Sequence, residues 1–444
     1  MIQESPDNLT METSAQKSPV VSKKLLLPFI LITCLFALWG FANDITNPMV
    51  SAFQTVMEIS NFKASLVQFA FYGGYFTMAI PAALFVKKYS YKTGVLIGLG
   101  LYAVGALLFY PAAQFEMFGF FLVAYYILTF GLAFLETTAN PFILSMGAPE
   151  TATRRLNLAQ SFNPMGSLTG MFVAQQFILA ALQSDDKDSA GNLIYSTLEV
   201  TEKATVRAQD LMVIRDPYIM IGLVVIVMLV VIAFTKMPEK ARKNANGLDL
   251  GGTFKRLFAN MRYREGVLAQ VFYVGAQIMC WTFIIQYAEN LGLSKAEAQV
   301  YNIVAMVGFL LSRFVSTFLM KYVNAGRLLM LFAIGGFLCI SGTILLQGMA
   351  GLYCLVATSA FMSLMFPTIY GIALENVGND AEIGAAGLVM AIVGGALMPP
   401  LQAAIIDQQT MMGMPAVNFS FILPLICFVV VALYGYRTYK HLAE

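Results

Sequence analysis

The chain has 444 residues, 58% hydrophobic and 12% charged, with a formal net charge of +2. A soluble globular chain carries about 25% charged residues, so half that share excludes an ordinary water-soluble fold and points to a polytopic membrane protein. The near-neutral balance gives no sign of a nucleic-acid partner.

Residues 1–22 are polar and rich in Ser, Glu and Lys, and read as a disordered cytoplasmic tail. The apolar run behind them is longer than a signal-peptide core and has no small-residue cleavage site. With about 20 apolar residues needed per crossing, the sequence predicts twelve transmembrane helices near 25–48, 62–86, 93–113, 117–146, 157–182, 216–236, 266–289, 297–320, 327–348, 351–376, 383–407 and 415–437. Two longer connections interrupt them. Residues 183–215 form a polar loop with an acidic start (Asp185, Asp186, Asp188), and 237–265 is basic. With the N-terminus inside, twenty Lys and Arg fall in cytoplasmic segments and six on the opposite side. That asymmetry orients the chain with both termini cytoplasmic.

The basic cytoplasmic linker, 238–265, divides the chain into a six-helix bundle over 23–237 and a second over 266–438, with a cytoplasmic tail at 439–444. The halves echo each other, as in "FVKKYSYKTGVLIGL" after the second span and "FLMKYVNAGRLLMLF" after the eighth. The expected fold is an all-α membrane protein of two six-helix bundles. Such paired half-repeats mark secondary transporters, whose site lies near the midplane between the halves.

Five scattered cysteines (Cys34, Cys280, Cys339, Cys354, Cys427) form no CxxC pair, and the only histidine is His441. No metal site or disulfide framework is expected, nor a Ser-His or Cys-His nucleophile. Without a GxxxxGK[ST] loop, ATP-driven transport is not expected either. The chain reads as neither an enzyme nor a cofactor protein.

Ionisable groups inside spans are functional candidates. Asp44 lies in the first span and Glu136 in the fourth. Arg313 reads as part of a charge network near the inner gate, and Glu289, Glu375 and Asp407 as solvated helix ends. On a helix, Asn43 and Asn47 share a face that Asp44 flanks, Glu136 and Asn140 are one turn apart, Gln160 and Asn163 are neighbours, and Tyr273, Gln277 and Trp281 form a stripe. Amides and carboxylates supply donors and acceptors together, as sugar hydroxyls require, and an aromatic ring such as Trp281 can cover the apolar face of a pyranose. Burial disfavours the charged form of a carboxyl, which would let Asp44 and Glu136 take a proton on one side of the membrane and release it on the other. Gly166 and Gly170 read as a close-packing step, and Pro48, Pro141, Pro164, Pro367 and Pro399-Pro400 as bends near the polar clusters.

The stretches "LVQFAFYGGYF", "LETTANPF", "RLNLAQSFNP", "GVLAQVFYVGAQIMCW" and "FMSLMFPTIYGI" resemble the fucose–proton symporter family of the major facilitator superfamily, and the likeness runs through all the predicted spans. It implies two six-helix bundles around a central site in a bacterial inner membrane, carrying L-fucose or a related hexose with protons. By resemblance, Glu136 matches the coupling and sugar-binding glutamate of "LETxANP", Gln160 and Asn163 match sugar contacts of "NLAQxFN", and Gln277 and Trp281 match span-seven positions. Two positions differ from a fucose permease of that family. Its span-one aspartate falls where Asn47 stands here, so the acid has moved back three residues to Asp44, and Phe366 replaces a tyrosine. The partners expected are a small sugar, a proton and the lipid bilayer, and no oligomer is required. The alternatives are a glucose, galactose or N-acetylglucosamine carrier of the same family, coupling to sodium, and, from other classes, a non-transporting sugar receptor or a channel.

Overall fold

The computed structural model describes residues 21–147, 155, 158–160, 162–188, 191–238, 250–320, 322–375, 377 and 380–441. Most of the N-terminal tail, linker residues 239–249 and the last three residues lie outside the described residues, as do Lys17, Arg154, Lys240, Arg242, Lys243 and Lys321 of the charge asymmetry. Helices dominate: α1 Leu26–Thr46, α2 Asn61–Lys88, α3 Tyr91–Leu107, α4 Phe118–Ser145, α5 Phe162–Val173, α6 Val200–Phe234, α7 Met261–Thr282, α8 Lys295–Leu319, α9 Ala325–Leu345, α10 Gly348–Met362, α11 Ala381–Met390 and α12 Ile422–His441.

Among the described residues, eleven helical stretches are long and apolar enough to cross a membrane, against the twelve expected. The difference falls on the predicted span 157–182, where positions 157 and 161 lie outside the described residues. There α5 is followed by a π turn at Ala174–Ile178 and a 3-10 turn at Leu179–Ala181.

Two predicted connections are shorter than expected. The loop expected over 183–215 gives way to helix at Val200, where Glu199 and Glu202 form a reciprocal capping box. This cap and a run of good helix formers carry the helix beyond the apolar segment. Within the basic linker, Leu250–Ala259 is helical, and Asn260 caps α7 by accepting from the Tyr263 N–H at 3.1 Å.

Several helices break and resume. After Pro48, α1 continues as Met49–Val56, and after Phe283, α7 continues as Ile284–Glu289. Likewise α10 resumes as Met365–Leu374, and α11 passes through a 3-10 turn, Ala391–Val393, into Gly394–Ile406. The first helix of each half is thus interrupted at a corresponding point.

Packing repeats pair for pair. In the first half α3 packs on α4, α2 on α4, α1 on α5 and α6 on α3; in the second, α9 packs on α10, α8 on α10, α7 on α11 and α12 on α9. Glycine permits the closest of these approaches. A Cβ at Gly166 of α5 would lie 1.9 Å from the Ala37 carbonyl oxygen of α1, and one at Gly394 would lie 1.9 Å from the Val271 carbonyl oxygen of α7. Neither position tolerates a side chain without parting the helices.

Between the halves, α2 packs along α11 and α5 against α8. The end of the molecule where α1 begins and α12 finishes is called the terminal end below, and the opposite end the far end. Among the described residues, the hydrogen bonds joining the halves all lie toward the far end. Ser51 donates to Glu289 at 3.0 Å, and Lys295, itself paired with Glu289, reaches Asp185 at 2.9 Å. Asp407 accepts from the Asn61 and Phe62 N–H groups, each at 2.9 Å.

Glu289 and Asp407 are therefore not solvated ends but ties across the interface. A buried lysine needs an anionic partner there, and at the start of α2 the Ser60 cap takes only the Lys63 N–H, leaving the Asn61 and Phe62 N–H groups for Asp407. Glu375, at the terminal end, pairs with Arg262 at 3.2 Å. Arg313 donates to the Ser363 carbonyl at 3.2 Å and lies 4.8 Å from the centre of the Phe309 ring. Its place is a helix-to-helix tie between α8 and the break in α10.

Candidate functional site

The polar residues of the first half gather where α1, α2, α4 and α5 meet. Asp44 sits one turn before the Pro48 break and is 4% exposed. The Asn47 amide donates to Asp44 Oδ1 at 3.1 Å, while the Ser167 hydroxyl of α5 donates to the Gly40 carbonyl one turn earlier on α1, at 3.5 Å. Asn47 in turn accepts from Gln68 Nε2 of α2 at 3.2 Å. The Asn43 Oδ1 atom is buried with no hydrogen-bond partner among the described residues.

Glu136 on α4 is 6% exposed, and its Oε2 likewise has no hydrogen-bond partner among the described residues. One turn on, Asn140 donates to the Glu136 carbonyl at 3.1 Å and accepts from Gln160 Nε2 at 3.0 Å. One member of each predicted pair, Asn140 and Gln160, thus meets the other, and with the Glu136 main chain they form a ladder across α4 and the start of the fifth span. Leu158, Phe162, Met165 and Phe172 are exposed along one side of that span. At 100° per residue Gln160 points to the other side, yet it too is exposed. The ladder therefore ends on an exposed side chain on the side of the span away from those apolar residues. Asn163 is placed differently: its amide donates to the Phe36 carbonyl at 3.2 Å and ties α5 to α1.

The second half contributes mainly rings. Trp281 is 7% exposed, its indole N–H donates to Ser359 Oγ at 3.0 Å, and its ring meets Phe309 edge-on at 5.3 Å. Tyr273 donates to the Met362 carbonyl at 3.1 Å. With both donors engaged, these residues offer a surface rather than free hydrogen bonds. Gln277 is half-buried between them on the same helix. Phe366, half-buried, stacks with Tyr370 at 6.2 Å and meets Tyr273 at 6.4 Å.

Spacing alone did not reveal four further residues. Tyr75 of α2 and Tyr370 of the α10 continuation stand within electrostatic range of Glu136, and Trp39 donates to the Tyr75 hydroxyl at 2.7 Å. Gln68, fully buried, reaches both Asn47 and, at 3.0 Å, Thr282 Oγ1 of α7. The one available signal was a lone amide inside the apolar run "LVQFAFYGG", which has no period to exploit.

The arrangement is a buried, partly unsatisfied polar wall facing aromatic side chains across two repeated half-structures. The profile of the Major Facilitator Superfamily matches residues 30–400. The chain is 65% identical over 421 residues to the L-fucose-proton symporter of Haemophilus influenzae, covering 95% of this chain and 98% of that one. It is 34% identical to the L-fucose-proton symporter of Escherichia coli K12, covering 93% of each. Among solved structures it resembles the transporter FucP in its outward conformation, with a TM-score of 0.72 and 32% identity over 94% of this chain and 99% of that one. With its repeated helix packing and its polar midplane, the chain belongs to the fucose–proton symporter family of the Major Facilitator Superfamily.

Proposed function

We propose that this protein imports L-fucose together with protons by alternating access in the inner membrane of a bacterium. The far end would then face outward and the terminal end, with both chain termini, the cytoplasm. The observation that carries this reading is Glu136, buried with Oε2 lacking a hydrogen-bond partner among the described residues, one turn from the Asn140–Gln160 amide pair that ends on an exposed side chain. The 65% identity to a symporter of that sugar supports the substrate.

In this reading each residue of the ladder has a task. Glu136 carries the proton and accepts a sugar hydroxyl, while Asn140 and Gln160 offer the amide donors and acceptors that hydroxyls need. Asn43, with its buried Oδ1 free to accept, adds a further hydroxyl contact. Trp281 and Phe366 cover the apolar face of the ring, with Gln277 beside them. Asn47 and Asn163 hold their helices in register around the site. Asp44 is the second proton-coupling carboxyl, and proximity to Glu136 would make the two titrate as a pair. Alternating access then follows from exchanging the far-end ties for ties at the terminal end, with sugar and proton shifting the balance between the states.

Uptake of labelled sugars by proteoliposomes with an imposed pH gradient tests the proposal. L-fucose should accumulate when the outside is acidic and only equilibrate when the gradient is collapsed. Accumulation that follows a sodium gradient instead, or a preference for glucose or galactose, would overturn it. Binding without any accumulation would mark a receptor.

A further inference from the structure

Opening of the far end must separate α2 from α7, and one side chain bridges them in the membrane interior. Gln68 is fully buried, and its single amide nitrogen donates twice: to Asn47 Oδ1 at 3.2 Å in its own half, and to Thr282 Oγ1 at 3.0 Å in the other. Asn47 donates onward to Asp44 Oδ1 at 3.1 Å. Asp44, Asn47, Gln68 and Thr282 are all at most 4% exposed, so water does not compete for these bonds.

The direction of the chain is dictated from the Asp44 end. An accepting Asp44 oxygen requires Asn47 to present its amide N–H to it and its carbonyl to Gln68. Gln68 must then present its own N–H group, and its Oε1 is left buried without a partner. An idle buried acceptor is unfavourable. It is held there because one NH₂ group satisfies two acceptors on opposite halves.

We propose that Gln68 is a positioning residue that ties the hydrogen bonding around Asp44 to closure of the far end. While the halves are closed, Thr282 holds the Gln68 amide, and the amide holds Asn47 against Asp44. When the far end opens, the Gln68–Thr282 bond breaks and the amide is free to turn, so Asp44 meets different surroundings in the two states. By linkage, whatever changes at Asp44 then biases opening by the same amount. This inference rests on the reading of Asp44 as a proton-coupling residue.

Spin labels at Val200→Cys and Met412→Cys, both at the far end and 85% and 81% exposed, report opening by pulsed electron resonance in a background whose native cysteines are replaced. Thr282→Val, which keeps the shape and removes the acceptor, should raise the far-end-open population about three- to tenfold, the factor expected for one hydrogen bond. Thr282→Ser should restore the parent distribution. Placed in an Asp44→Asn background, Thr282→Val should have a smaller effect, because the chain it interrupts no longer ends on the same group. An unchanged distance distribution in Thr282→Val would overturn the proposal, and so would full additivity with Asp44→Asn. Proton-driven uptake by Asp44→Asn at the parent rate would instead refute the reading of Asp44, whatever the spin labels show.

Discussion

The two halves repeat the same packing, α1 on α5 and α7 on α11, but fill the equivalent break differently. Before its break, α1 carries Asn43, Asp44 and Asn47, of which Asn43 Oδ1 has no hydrogen-bond partner among the described residues while Asp44 and Asn47 bond each other. The matching stretch of α7 carries Gln277, Trp281 and Thr282, and its indole donor is bonded to Ser359. Along these two matching stretches the spare acceptor lies in the first half and the engaged ring in the second, although earlier on α7 the buried Gln270 amide also has no hydrogen-bond partner among the described residues. An unsatisfied buried polar atom costs about 1–3 kcal/mol, and in the proposed function the sugar supplies the partners that Asn43 Oδ1 and Glu136 Oε2 lack. In that reading the pseudo-symmetric scaffold divides the task, one bundle supplying the hydroxyl and proton chemistry and the other most of the shape.

The sharpest way to break this contrast is Glu136→Gln. It should abolish sugar-dependent proton uptake, by about 100-fold or more, measured as alkalinisation of the lightly buffered medium around vesicles on sugar addition. Accumulation at the wild-type level would remove Glu136 from the coupling role. Asp44→Asn should lower uptake more than Glu375→Gln does. The Glu375 pair with Arg262 is partly exposed at the terminal end, and such pairs contribute about 0–1 kcal/mol. An equal or reversed order would take Asp44 out of the central site.

On the aromatic side the expected changes are in affinity. Trp281→Ala should weaken sugar binding about tenfold, as loss of a buried aromatic anchor does, while the protein still elutes as a folded species. Undiminished affinity would exclude Trp281 from the site. Phe366→Tyr adds back one hydroxyl and should change affinity by no more than about threefold, read in the same binding assay.

The smallest effect is expected far from both walls, at Asp380. Its carboxylate accepts from Arg256 and Thr253, and the hydrogen bond from Arg256 holds its pKa down to about 2. A depressed carboxyl pKa stabilises the fold above the ordinary carboxylate range and loses that contribution as pH falls toward 2. Asp380→Asn should therefore leave uptake near neutral pH unchanged and flatten the loss of thermal stability between about pH 4 and pH 2.

Much of the architecture was legible because membrane spans announce themselves by composition, and the halves by an echo around Tyr89 and Tyr322. The Glu136–Asn140 pair was legible too, since residues four apart on a helix share a face. Other features had no local signature. The start of α6 at Val200 depends on a cap built from Glu199 and Glu202 inside a polar stretch that hydropathy reads as loop. Glu289 and Asp407 looked like solvated ends because their partners, Ser51, Lys295 and the first N–H groups of α2, are distant in sequence.

From sequence alone came the membrane-spanning helical class, the two halves and the polar residues that have no reason to sit in lipid, because the cost of burying a polar group depends on residue type and on its neighbours along the helix. Which of those groups are satisfied was decided only by tertiary structure. Asn163 bonds a carbonyl of α1, Trp281 bonds Ser359, and Gln68 spans the two halves, whereas Glu136 Oε2 finds no hydrogen-bond partner among the described residues. A hydrogen bond forms only within about 3 Å and at a favourable angle, and when its partner lies dozens of residues away, only the packed fold sets that distance.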